Sequence, residues 1–176
     1  KHHAPILEDI KHAFESVVKR SSFIRGEDVD RFEKNFAQLL GSENCVSCAN
    51  GTDALYIAMK ALDINAGDEV IVPAHSWIST SETVTQAGGE VVFCDTSADT
   101  FTMDPDHLAR LITPRTVGII PVHLYGHPAE IDKIMAIAKN NDLWVIEDCA
   151  QAHLAEYKGR QVGSFGDAAT FSFYPG

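Results

Sequence analysis

Leu143-Trp-Val-Ile-Glu-Asp148 is an apolar run that ends in two carboxylates. Four large apolar residues without polar alternation read as a strand covered on both faces. A helix over Ala129–Asn140 precedes it, and the same alternation continues upstream. Strands fall at Val117–Val122, Val91–Cys94, Glu69–Val72 and Cys45–Ala49. Between them lie helices at Asp104–Ile112, with Pro105 near its start, at Ser76–Gln86, stopped by Gly88-Gly89, and at Thr52–Leu62. Downstream, a polar turn section over Tyr157–Gly166 leads to a last strand near Ala168–Phe173. Repeated strand–helix units with buried, β-branched strands define an α/β fold with a mostly parallel sheet flanked by helices.

Two helices stand ahead of this pattern. Leu7–Arg20 presents Ile10, Phe14, Val17 and Val18 on one face, and Asp28–Leu40 presents Val29, Phe32, Phe36, Leu39 and Leu40 before Gly41 stops it. The expected organisation is therefore an N-terminal helical arm, residues 1–41, and a sheet domain, residues 42–176. The arm is expected to pack on that domain or on a partner subunit.

The chain has 176 residues, enough for one substantial core, with 45% apolar and 22% charged residues. Its net charge of −11 argues against nucleic acid and anionic membrane as partners, since either needs a basic face. There is no run of about 18 apolar residues to span a bilayer, and no signal pattern opens the chain. A cytoplasmic location is the expectation. Cys45 and Cys48 have redox or zinc spacing. They fall in an extended segment, where side chains three apart diverge, and no second cysteine pair completes a zinc site. They read as small buried strand residues. His123 and His127 have the spacing of a zinc helix, but Leu-Tyr-Gly lies between them and reads as loop, so no metal site is expected.

In open α/β sheets, ligands bind outside the carboxyl ends of the strands. Asn50-Gly51-Thr52-Asp53 stands at such an end and opens a helix. Glycine there lets the backbone approach an anion, and the helix start offers N–H groups and a positive dipole end to a phosphate. Thr52 adds a hydroxyl; alternatively, Thr52 or Asp53 simply caps the helix. Trp77, after the next strand, either lies flat on a planar ring or packs in the core. Asp148 needs a cation or several donors to offset its desolvation. A protonated pyridine nitrogen, a metal, a ribose or a helix start would each serve. Gln151 either donates to a phenolate oxygen or faces solvent, and Ser172 can reach a phosphate.

Taken together, these residues resemble the DegT/DnrJ/EryC1/StrS family of sugar aminotransferases over about residues 25–176. The likeness is carried by Asn50-Gly-Thr-Asp-Ala-Leu55, Gly67-Asp-Glu-Val-Ile-Val-Pro73, Pro121-Val-His-Leu-Tyr-Gly126, Glu147-Asp-Cys-Ala-Gln-Ala-His153 and Gly163-Ser-Phe-Gly-Asp167 with Phe171-Ser-Phe-Tyr-Pro-Gly176. The resemblance implies the large domain of a type I, aspartate-aminotransferase-like transferase using pyridoxal 5′-phosphate (PLP). It implies that Gly51, Thr52 and Ser172 hold the phosphate, that Trp77 stacks on the ring, and that Gln151 contacts the ring hydroxyl. Asp148 would pair with the pyridine nitrogen and act in catalysis. A cofactor-bearing lysine would follow at position 177, one past Gly176. The implied reaction moves an amino group, with glutamate as donor, to a nucleotide-linked keto-sugar in amino-sugar and polysaccharide biosynthesis, on a homodimer. The alternatives are a sugar dehydratase of the same family that uses pyridoxamine phosphate (PMP), and a non-catalytic PLP-binding protein. One departure is Leu154, which stands where the family has glycine after Ala-His.

Overall fold

The computed structural model describes residues 3–174, so Pro175 and Gly176 at the end of the last motif, and the position after them, lie outside the described residues. The chain forms two compact units, Lys1–Ser47 and Cys48–Gly176.

The first unit holds α1 (Leu7–Arg20) and α2 (Glu27–Leu40). Glu8 and Asp9 open α1 and Lys19 and Arg20 close it, the charge order that a helix dipole favours. Gly41, in the left-handed conformation, ends α2 as its sequence position indicates. The unit runs on to Ser47 because Glu33 of α2 accepts both its N–H and its hydroxyl, each at 2.7 Å. Those two bonds hold the Glu33 carboxyl below its usual range.

In the second unit, α3 (Gly51–Ala61), β1 (Glu69–Pro73), α4 (Ser79–Ala87), β2 (Glu90–Cys94), α5 (Pro105–Leu111), β3 (Thr116–Ile119), α6 (Ile131–Asn140) and β4 (Trp144–Asp148) alternate as expected. The short β5 (Glu156–Tyr157), β6 (Arg160–Gln161) and β7 (Ala168–Thr170) follow. The main sheet is parallel throughout, in the order β2-β1-β3-β4-β7. Side chains alternate across each strand, so one strand feeds two cores. Val70 and Val72 pack with Leu55 and Met59 of α3 and Val84 of α4. Ile71 between them faces Leu108 of α5 and Ile131 and Ile134 of α6. Helices thus cover both faces, which is why the strands read as continuous apolar runs.

Three expectations are corrected. Cys45–Ala49 forms no strand, because no described strand lies beside it in a sheet. Its cysteines are accordingly not buried strand residues: Cys45 is half-buried and Cys48 exposed. The strand expected at Val117–Val122 stops at Ile119. Ile120 still donates to Ile71, but Pro121 has no N–H to continue the ladder. The Tyr157–Gly166 turn section contains the β5–β6 hairpin, joined by Lys158 and Gly159, both at positive φ. That is the two-residue turn whose twist suits a hairpin.

Candidate active site

Strand β1 leads outward to β2, and the chain then returns to β3 on the other side of β1. The order reverses between β1 and β3, and a crevice opens outside the carboxyl ends at such a point. The loops after β1, β3, β4 and β7 and the start of α3 carry the sequence-selected residues.

At α3, Asn50 is the cap: its side-chain oxygen accepts the Asp53 N–H at 2.9 Å. Neither Thr52 nor Asp53 caps the helix. The N–H groups of Gly51 and Thr52 donate to no atom among the described residues, as expected for a first helical turn. The Thr52 hydroxyl lies 2.8 Å from that of Ser79 on α4. Ser172, just past β7, comes so near that a Cβ on Gly51 would stand 2.8 Å from Ser172 Cβ. Only glycine allows this approach. Two N–H groups and the hydroxyls of Thr52 and Ser172 are thereby gathered at one helix start.

Asp148 ends β4, buried. Its Oδ2 accepts the Thr80 hydroxyl at 3.0 Å and its Oδ1 the Ala150 N–H at 3.1 Å. Burial pushes the carboxyl up, against these two donors. A carboxylate has about four acceptor sites, so capacity remains for a cationic partner. The first turn of α4 connects the two halves of the site, since Ser79 meets Thr52 and the adjacent Thr80 meets Asp148.

Glu147, to which sequence reading gave no role, points the other way. Its Oε1 accepts the N–H groups of Phe165 and Gly166 at 2.6 and 2.9 Å. Its Oε2 accepts that of Gly163 at 2.8 Å and lies 3.1 Å from His123 Nε2. His123 Nδ1 accepts the Ala129 N–H at 3.0 Å, which places the ring proton on Nε2, directed at Glu147. Burial would raise the Glu147 carboxyl, but His123 and the Gly163 and Gly166 N–H groups outweigh it and hold it below its usual range. Ligand atoms of His123, Glu147 and Cys149 lie within 4.8 Å of one another. With His123 and Glu147 already engaged, the group is a latch rather than an open metal seat. His127 is exposed, away from this buried ring.

Gln151 is exposed, and its Oε1 accepts the Tyr125 N–H at 2.8 Å, which leaves its NH2 as the free donor end. Tyr125 adopts φ 56° to aim that N–H, and its hydroxyl lies 3.4 Å from His75. Trp77 is no core residue: its side chain is 74% exposed and lines, with Ser76 and Thr80, a cavity of about 190 Å³. Sequence reading missed Ser79, Thr80 and Tyr125. The available signal was α4 itself, whose buried positions Ser79, Thr80 and Thr83 carry hydroxyls where a purely packing helix would carry aliphatics.

Leu154 sits at φ 60°, the left-handed region where a side chain costs roughly 1–2 kcal/mol and glycine nothing. It is 53% exposed and gives up little by truncation. Leu154→Gly is expected to stabilise the protein by about 1 kcal/mol, read as a higher denaturation midpoint. An unchanged or lowered midpoint would show that the leucine's packing outweighs its backbone strain.

The helix-flanked parallel sheet superposes on solved aminotransferases, and the fold is that of the type I PLP-dependent transferases. The family model of the DegT/DnrJ/EryC1/StrS aminotransferases matches residues 5–176, and the chain belongs to that family. It is 46% identical over 174 residues to UDP-N-acetyl-3-dehydro-alpha-D-glucosamine 3-aminotransferase of Acidithiobacillus ferrooxidans, covering 99% of this chain and 47% of that protein. The X-ray structure of S. venezuelae DesV superposes with a TM-score of 0.96 at 37% identity, over 99% of this chain and 47% of that one. Spr1654 of Streptococcus pneumoniae, in its PLP-form, matches with a TM-score of 0.81 at 31% identity, over 85% and 42%. The chain therefore spans about half the length of these relatives. No described helix is long and apolar enough to cross a membrane.

Proposed function

We propose that the full-length protein is a cytoplasmic PLP-dependent aminotransferase, a homodimer, that aminates a nucleotide-linked keto-sugar with glutamate as donor. The observation that carries this is Asp148, a desolvated carboxylate with acceptor capacity left, linked through the adjacent Thr80 and Ser79 of α4 to Thr52, where the donors of Gly51, Thr52 and Ser172 gather. Family membership and the nucleotide-sugar substrate named for the Acidithiobacillus relative support the substrate class.

The residues fit the cofactor. A phosphate needs donors, and the α3 start offers two N–H groups, the Thr52 hydroxyl and the Ser172 hydroxyl, while the Asp53 carboxylate of the same turn is taken up by the Asn50 amide. The close approach of Ser172 forbids any side chain at position 51. When bound, PLP supplies a cationic ring that draws electrons from the substrate carbon being aminated or deaminated. Asp148 would accept the proton-bearing ring nitrogen and keep it charged. Gln151, with its oxygen fixed by Tyr125, would turn its NH2 to the ring oxygen. Trp77, projecting from the turn before α4, would cover one ring face and exclude water.

Treating the full-length protein with PLP and then borohydride tests this reading. The expected result is a cofactor fixed covalently on the residue that follows Gly176, identified by peptide mass spectrometry. Reversible binding with no trapping would overturn amino transfer in favour of the PMP-dependent dehydratase or a non-catalytic binder.

A further inference from the structure

We propose that Thr80 is a positioning residue for the Asp148 carboxylate, held to that task by a one-directional hydroxyl relay from Ser76. The proposal rests on the reading in which Asp148 pairs with the ring nitrogen, and adds a residue outside the sequence-selected set.

Thr80 is 2% exposed, on the first turn of α4. Its Oγ1 lies 3.0 Å from Asp148 Oδ2 and 2.9 Å from Ser76 Oγ. An ionised carboxylate can only accept, so the single hydroxyl proton of Thr80 goes to Asp148. The contact with Ser76 then has one direction, Ser76 donating to Thr80. A helical threonine ordinarily turns its hydroxyl back to the carbonyl four residues earlier. Thr83, three residues on in the same helix, does this with Ser79 at 2.7 Å. Thr80, second in the helix, has no helical carbonyl four residues back, and the partner it takes is the buried carboxylate.

The Ala150 N–H comes from the turn that follows β4, and Thr80 comes from a separate helix. Two donors from two elements, one on each oxygen, fix the carboxylate plane. The remaining lone pairs would then meet a ring nitrogen in one orientation only. Without the Thr80 hydroxyl, the carboxylate keeps its burial and loses one of its two constraints, and its alignment with a ring N–H suffers. The donors at the α3 start that would hold a phosphate are untouched.

The test is the affinity of the full-length protein for PMP and for its 1-deaza analogue, in which a C–H replaces the ring nitrogen. Both bind without covalent attachment, and their affinity ratio reads the Asp148 contact alone. The wild type is expected to prefer PMP. Thr80→Val should shrink that preference about tenfold, the scale of one hydrogen bond to a charged group. Thr80→Ser should restore it to within about threefold, and Ser76→Ala should shrink it by a smaller factor. Equal weakening of both ligands in Thr80→Val, or failure of Thr80→Ser to restore the preference, would overturn the positioning role. Should Thr80→Val not fold, an unchanged ratio in Ser76→Ala overturns it instead. A wild-type ratio near one would sink the pairing of Asp148 with the ring nitrogen itself, an outcome distinct from either.

Discussion

Asp148→Asn is expected to move activity and apoprotein stability in opposite directions. Asparagine has the same shape, and its oxygen can still accept the Ala150 N–H. Its amide can donate to Thr80, whose hydroxyl then turns to Ser76. Hydrogen bonding is thus conserved while a charge in a desolvated site disappears. Without cofactor, the variant should melt at or above the wild type at neutral pH. With cofactor, it can no longer keep the ring nitrogen charged. Turnover of keto-sugar and amino donor should fall about 10²–10³-fold in kcat/KM, the usual effect of deleting one preorganised electrostatic contact. The pH dependence has a definite sign. The folded-state pKa of Asp148 is raised, so its contribution to stability is fully present below the ordinary aspartate range and is lost as pH rises through the raised value. The advantage of asparagine should therefore vanish in acid. Thermal melting of both apoproteins across that range, with steady-state kinetics, checks both halves. A variant that melts well below the wild type at neutral pH would refute the conserved-bonding argument.

The same charge argument shows what was legible in the sequence. Strand and helix order follows from burial pattern alone, and Leu143–Ile146 or Glu69–Val72 could be little else. Glycine at position 51 was read from a helix start after an expected strand, but no strand forms there, and the reason for the glycine is Ser172, brought to it from just past β7. Thr80 was not, since its partner lies 68 residues away and only the folded chain brings the start of α4 to the end of β4. Cys45–Ala49 looked like a strand because composition records side-chain fit, whereas a strand also needs a neighbour to bond. At this strand end the sequence reading singled out Asp148 and gave Glu147 no role. The two-residue period of a strand sends them to opposite sides, one into a saturated ring of donors and one toward the crevice.

Glu147→Ala is expected to be among the most destabilising single substitutions in the second unit. It removes the acceptor for the Gly163, Phe165 and Gly166 N–H groups and for His123 Nε2. Glu147 and His123 are fully buried, so water cannot replace the lost partner without opening the core. Breaking such a buried charged network costs roughly 3–5 kcal/mol. Glu147→Gln should cost less, because its oxygen still accepts the Phe165 and Gly166 N–H groups and only the donors of Gly163 and His123 lose their acceptor. The order wild type, Gln, Ala in denaturant midpoint is the expected measurement at neutral pH. Here the folded-state pKa is depressed, so the stabilisation is present above the ordinary glutamate range and lost as pH falls through the depressed value. The gap between wild type and Glu147→Ala should therefore narrow in acid. That is the same direction in which the Asp148→Asn advantage vanishes, but it comes from the opposite sign of shift. If Glu147→Ala costs under about 1 kcal/mol, the 163–166 loop is held by something other than this carboxylate. The loop feeds directly into β7 and Ser172. The Gln variant should thus also weaken phosphate binding at the α3 start, although Glu147 itself lies on the far side of the strand from it.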